Sequence, residues 1–257
     1  MNSRKQTQDL SIEAHVFVTT RWNLVLTGAR FESGEQQARE ALAELCRTYW
    51  RSIFSFICRR GYSAEDAQDL TQDFFVMILE SSWLQQADES RGRFRSFLLK
   101  SLQNFLSHAN ERKRAHKRGG DLQIISWDEW MGEAPSELAI SQQREDSLAP
   151  ERLFDLRWAA TVVEQALRRL REECESKGRL RLFETLSKHL TAERGDISYA
   201  DLATSLGIAE TMVKKQLHNL RLRYRWLLRE EVAHTVENPA DVEDEIRHLC
   251  AVLASST

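Results

Sequence analysis

Glycine and proline are scarce, at ten and three in 257 residues. Strand-rich folds take their frequent tight turns largely from these residues, so their scarcity argues against a β-sandwich or barrel. No apolar run reaches the roughly 18–20 residues that span a bilayer. The opening stretch, MNSRKQTQDLSIEAH, lacks the apolar core of a secretory signal. The expectation is a cytoplasmic chain with no membrane partner. The four cysteines, Cys46, Cys58, Cys174 and Cys250, stand far apart, and none belongs to a C-x-x-C or a Cys/His group with zinc spacing. They are expected to be buried thiols. A P-loop, a nucleophile elbow and an HExxH motif are also missing, so the sequence offers no catalytic constellation, no metal site and no cofactor site, and points away from an enzyme.

Leu, Ala, Glu, Arg and Gln dominate instead, a composition that favours helices. Apolar residues recur at steps of three and four. Ala41, Leu42, Leu45, Tyr49, Ile53, Phe56 and Ile57 mark a first long helix, with Gly61 to end it and Ser63 to cap the next. A second helix is predicted over 64–82 and a third from Phe94 to about Arg114. Periodicity resumes from Leu153, and a further helix is predicted over about 180–190. The fold class is therefore all-α: two helical domains joined by an acidic linker, the second ending in a helix-turn-helix. The boundaries read as an extension over 1–37, a first domain over 38–120, a linker over 121–152, a second domain over 153–236 and a polar tail over 237–257 with a short helical pattern from Val242 to Leu253.

The net charge of −3 conceals blocks of opposite sign. Residues 91–118 hold nine Lys/Arg against one acid, and 121–151 hold eight acids against one base. Residues 210–229 hold six bases against one acid, and 230–245 hold seven acids and no Lys or Arg. Two separated basic surfaces suggest two contacts with a polyanion.

The most informative stretch is YADLATSLGIAETMVKKQLHNLRLRYR, starting at Tyr199. A short helix, a tight turn at Leu206-Gly207-Ile208 and a second helix from Ala209 are predicted, with Gly207 free to take a positive φ. Met212, Val213, Leu217, Leu220 and Leu222 are expected to face inward. Lys214, Lys215, His218, Arg221, Arg223 and Arg225 are then left outside. Such a basic second helix suits the major groove of DNA. Glu210, Thr211, Lys214, Lys215 and His218 lie in its N-terminal half, where groove contacts concentrate; Arg221 is expected to touch phosphate or brace the fold. The rival reading is a helical hairpin that is merely basic on its solvated side.

Residues 65–75, EDAQDLTQDFF, resemble the polymerase-docking helix of bacterial RNA polymerase sigma factors of the extracytoplasmic-function group. Residues 94–104, FRSFLLKSLQN, resemble the promoter-reading helix of that family, with Phe94, Phe97, Leu98 and Asn104 on its motif positions. ERKRAHKR (111–118) resembles its basic end, and GRFRSFLLKSLQNFL with a downstream KRGG resembles one environmental subgroup. The 199–225 stretch resembles the family's second DNA-binding domain. Two departures are Ala209, where a serine cap is common, and His108, where an Asp is common. The resemblance covers about 38–118 and 153–232.

The resemblance implies a promoter-specificity subunit that is not an enzyme. Asp66, Asp69, Gln72, Asp73, Phe74 and Phe75 would dock on core RNA polymerase. Asp66, Asp69 and Asp73 share a helix face by spacing, and the phenylalanines would supply an aromatic anchor. A solvated acidic face or an aspartate metal cluster are rival readings of the same residues. Arg91, Arg93, Arg95 and Lys100 would neutralise phosphates near the −10 element, Asn104 would bond a base or a backbone group, and Arg112 and Lys113 belong to the basic end. Phe94, Phe97 and Phe105 are expected in the core rather than under bases. The helix from Glu210 would read the −35 element. Core polymerase and promoter DNA are the implied partners, and an anti-sigma protein is compatible with them. Two other function classes stand beside this one: a helix-turn-helix transcriptional regulator acting without polymerase docking, and a metal-dependent nuclease. With roughly four to six phosphate contacts, log affinity for DNA should fall against log salt with a slope of about −4 to −5; a salt titration of binding checks this, and a flat response contradicts it.

Overall fold

The structure is a computed structural model, and it describes residues 35–80, 94–112, 147–236 and 238–255. These are helical, with eight α-helices and no strand among them. They are α1 (Glu35–Arg59), α2 (Ala64–Glu80), α3 (Phe94–Arg112), α4 (Pro150–Ser176), α5 (Leu180–Leu186), α6 (Tyr199–Leu206), α7 (Glu210–Ala233) and α8 (Val242–Ala254). The sequence also suggests that a helix begins within 20–31 and docks Trp22, Leu24 and Leu26; that stretch and residues 121–146 of the expected linker lie outside the described residues. No described helix is long and apolar enough to cross a membrane.

The helix ends follow local chemistry. Gly61 takes φ 92° just after α1. Ser63 then caps α2 reciprocally with Asp66: the Asp66 amide donates to Ser63 Oγ at 3.1 Å, and Ser63 Oγ donates to the Asp66 carboxylate at 3.1 Å. Pro150 sits in the first turn of α4, where its missing N–H costs nothing. Ser198 caps α6 by accepting from the Asp201 amide, and Gly207 closes it in the left-handed region at φ 69°. Ala209 precedes α7 without a side-chain cap, and its carbonyl accepts from the amides of Met212 and Val213 at 2.9 and 3.0 Å.

Two cores form. The first gathers Tyr49, Ile53 and Phe56 of α1, Phe74 and Ile78 of α2, Phe94, Leu98 and Leu102 of α3, and Phe154, Trp158 and Val162 of α4. Phe154 meets both Tyr49 and Phe56, at ring-centroid distances of 6.3 and 6.4 Å. The second core gathers Ala166 and Leu170 of α4, Phe183 and Leu186 of α5, Ile197, and Val213, Leu217, Leu220 and Leu227 of α7. Helix α4 thus enters both cores. Its first half is buried almost all round, as a central helix must be. The residue pattern from Leu153 therefore marks a spine packed along α1 as well as the start of the second group.

The segment after Glu237, expected as a polar tail, contributes α8 to the first core. Val242 and Leu249 are buried there with Val232 near the end of α7 and Val236 just after it. A second difference concerns α7. Met212 and Leu222, expected inside, are 44% and 51% exposed. At about 100° per residue, Val213, Leu217, Leu220 and Leu227 define one inward stripe, Met212 falls off its edge, and Leu222 lies on the opposite side. Cys46 and Cys174 are buried as expected, Cys58 is partly buried and Cys250 is exposed.

An added Cβ at Gly207 would meet nothing within 4 Å, so the cost of a side chain there is purely that of its φ. Gly207→Ala should lower stability by about 1–2 kcal/mol. Urea denaturation measures it; an unchanged midpoint would show that the turn does not depend on the left-handed conformation.

Candidate nucleic-acid and polymerase interfaces

Three helices carry the sequence-predicted site residues. On α2, Glu65, Asp69, Gln72 and Asp73 are exposed and Asp66 is partly so, and helical spacing puts all five on one face. Phe74 and Phe75 lie on the other face, buried with Ala67, Leu70 and Ile78. Phe74 packs against Phe105 at 5.5 Å. The expected ridge of aspartates and phenylalanines is therefore divided. Its acidic half meets solvent, and both phenylalanines are committed to the first core, so neither serves as a surface anchor. Among the described residues, no group of three or more His, Cys, Asp or Glu side chains is placed to hold a metal ion.

On α3, Lys100 and Asn104 are exposed one turn apart, flanked by exposed Ser96 and His108. Phe94 and Phe105 are buried and Phe97 packs against the same core. Arg95, also expected to contact phosphate, is placed differently from Lys100. It lies about 140° round the helix from Lys100 and is 6% exposed. Arg95 Nη1 donates to Asp155 Oδ1 of α4 at 2.5 Å, and Arg95 Nε donates to Glu245 Oε1 of α8 at 3.0 Å. Its guanidinium lies 5.2 Å from the centroid of the Trp158 ring. Burial alone would lower the guanidinium's pKa, but Glu245 and Asp155 outweigh it and the net direction is upward. This arginine is an interior cation, held by two carboxylates, and cannot meet phosphate in this conformation. Arg91, Arg93 and Lys113 lie outside the described residues; Arg112 is the last residue of α3.

On α7, Glu210, Thr211, Lys214, Lys215 and His218 are all exposed, while Val213 and Leu217 between them are buried. Lys214 Nζ lies 3.7 Å from Glu210 Oε2 and 5.0 Å from the centroid of the Tyr199 ring of α6. This exposed pair adds little stability, but it draws Lys214 over the junction of the two helices. Arg221 has a different task. Its Nη2 donates to the carbonyls of His189 and Ala192, at 2.7 and 2.6 Å, and so ties the segment before α6 to the middle of α7. Its bracing role is the one observed. Arg223 is engaged by both oxygens of Glu173 on α4, at 2.8 and 2.5 Å, and lies over the exposed Trp226 ring at 4.0 Å. Of the cations foreseen outside on α7, Lys214, Lys215, His218 and Arg225 face solvent.

Sequence reasoning missed Asp155, Glu173 and Glu245 as holders of arginines. The Arg95 partners are 60 and 150 positions away, and no local pattern links such residues. Arg169 is a parallel case, paired with Glu230 and Glu231 at 2.8 and 2.6 Å. Acidic residues read as a charge block are in part internal counter-ions. No protein-family model, no curated protein and no solved structure matches the chain.

The two α3 cations should respond differently to removal. Arg95→Ala leaves Glu245 buried beside one partner fewer and should cost about 3–5 kcal/mol. Lys100→Ala should stay within about 0.5 kcal/mol of the parent. Thermal melts of the two variants measure the contrast; equal small effects would contradict the interior role of Arg95.

Proposed function

We propose that this chain is a sigma factor: it binds core RNA polymerase and directs promoter-specific transcription by contacting two DNA elements, −10 and −35. In this reading the chain comprises two helical units, α1–α3 and α4–α8, the second carrying a helix-turn-helix made by α6, the Gly207 turn and α7. The observation that carries the reading is the face of α7. Five polar contact candidates, Glu210, Thr211, Lys214, Lys215 and His218, are exposed at the start of a helix that follows a capped short helix and a left-handed glycine. Val213 and Leu217 between them are buried in the second core, which turns this face outward. Lysine can donate to guanine or to phosphate, and glutamate can accept from cytosine.

Lys100 and Asn104 supply the second DNA contact, near the −10 element. Asp69, Gln72 and Asp73 of α2 supply the polymerase contact, by charge complementarity with a basic partner surface. The burial of Phe74 and Phe75 removes the aromatic anchor from that contact and gives weight to the second reading, a helix-turn-helix regulator that binds an operator without polymerase. Neither reading calls for a cofactor or a catalytic group.

Run-off transcription with purified core polymerase separates the two. The proposed sigma factor yields promoter-dependent transcripts that core alone does not; stable operator binding with no association with core supports the regulator instead. Within the first reading, Lys214→Ala with Lys215→Ala should reduce affinity for a −35 duplex at least tenfold, or about 1.4 kcal/mol, while core binding remains. Equal loss of both would contradict the division of labour between α2 and α7.

A further inference from the structure

The two lysines at the start of α7 are not held alike. Lys214 stands one turn after Glu210, and its Nζ lies 3.7 Å from that carboxylate and 5.0 Å from the centroid of the Tyr199 ring of α6. Lys215, about 100° further round the helix, makes no ion pair or ring contact among the described residues. The ring that meets Lys214 is itself fixed. Tyr199 is the first residue of α6, directly after the Ser198 cap, and its side chain packs against the second core. At the other end of α6, the amides of Gly207 and Ile208 both donate to the Ala203 carbonyl, at 2.8 and 3.1 Å. Arg181 Nη2 donates to the Ser205 carbonyl at 2.6 Å. Tyr199 thus rides on a short helix anchored at both ends.

Restraint changes what a lysine can do. Its long side chain loses rotamer freedom when it binds, and one that is already held loses less. The Lys214 side chain remains 55% exposed, so it is held without being hidden. Phosphates recur along the backbone and can be met by a cation that searches for them. A base edge lies at one place and rewards a donor kept in register. The Glu210 carboxylate beside Lys214 also weakens its attraction to phosphate at large. We propose that Tyr199 is a positioning residue for sequence recognition: its ring, with Glu210, holds Lys214 for the O6/N7 edge of a guanine in the major groove, while Lys215 takes phosphate. This rests on the reading of α7 as a DNA-contacting helix, which the sigma-factor and regulator readings share. Sequence preference then depends on a ring of α6 that acts through its neighbour, and two adjacent lysines have separate tasks.

The test lets the full chain select duplexes from a randomised pool, then compares its affinity for the selected duplex with that for a mixed-sequence duplex of the same length. Tyr199→Leu should lower the ratio of the two affinities about tenfold and change the mixed-sequence affinity less than about twofold. Tyr199→Phe keeps the ring and should keep the ratio. In a Lys214→Ala background, Tyr199→Leu should lower the ratio no further. Lys215→Ala should weaken both duplexes alike and reduce the salt slope by about 0.9. If Tyr199→Leu fails to fold, the contrast between Lys214→Ala and Lys215→Ala decides, and an equal loss of the ratio in both overturns the division of tasks. A ratio unchanged in Tyr199→Leu, or lowered equally with and without Lys214, overturns the positioning role and leaves the DNA-contact reading standing. Absence of any duplex preferred over mixed sequence overturns that reading of α7, and the positioning role with it.

Discussion

One buried cation organises this molecule. Arg95 arises on α3, within a helix whose neighbouring positions are apolar, and must find its counter-charges inside the protein. Asp155 from α4 and Glu245 from α8 provide them, and the face of Trp158 covers the guanidinium. Bringing these charges out of water is costly, so the arrangement is stable only while all three groups stay together. That requirement couples the three helices. It joins α8 and the first half of α4 to α3, beside the first core. Tyr49 belongs to the same cluster: burial, and then the nearby Glu245 carboxylate, push its hydroxyl far above the ordinary tyrosine range.

The functional faces are what this interior leaves outside. Helix α2 spends its apolar side on the first core and keeps a row of carboxylates and amides for solvent. Helix α3 keeps Lys100 and Asn104. Helix α7 divides along its length: its first turns present Lys214, Lys215 and His218, whereas further along Arg221 and Arg223 are drawn into the fold by carbonyls and by Glu173. Basic residues close in sequence therefore do different work. A contact face for a polyanion is set by which arginines the interior has already engaged, not by the local count of positive charge.

The sequence shows its helices plainly because periodicity and caps are local signals. Ser63, Ser198 and Gly207 act where residue chemistry places them, and the all-helical class follows from composition and spacing. Helical phase was harder to read. Met212 and Leu222 are apolar, yet a stripe set by Val213, Leu217 and Leu220 excludes them. Phe74 and Phe75 adjoin the acidic row in sequence and face away from it in space. The Arg95–Asp155–Glu245 cluster is not legible in the sequence, since nothing near Arg95 announces partners from two distant helices. The short apolar pattern from Val242 was visible, but its docking surface is assembled only when α4 and the end of α7 come together.

Hydrogen exchange on the free chain tests the central claim most directly, because it asks whether α8 belongs to the body that Arg95 holds. The amides of α8 should be protected to the same degree as those of the middle of α3 and the first half of α4, since the three helices share the first core and the Arg95 cluster and open together. Rapid exchange throughout residues 242–254, with α3 and α4 still protected, would mean that the last helix does not hold Arg95 and that the account of this fold is wrong.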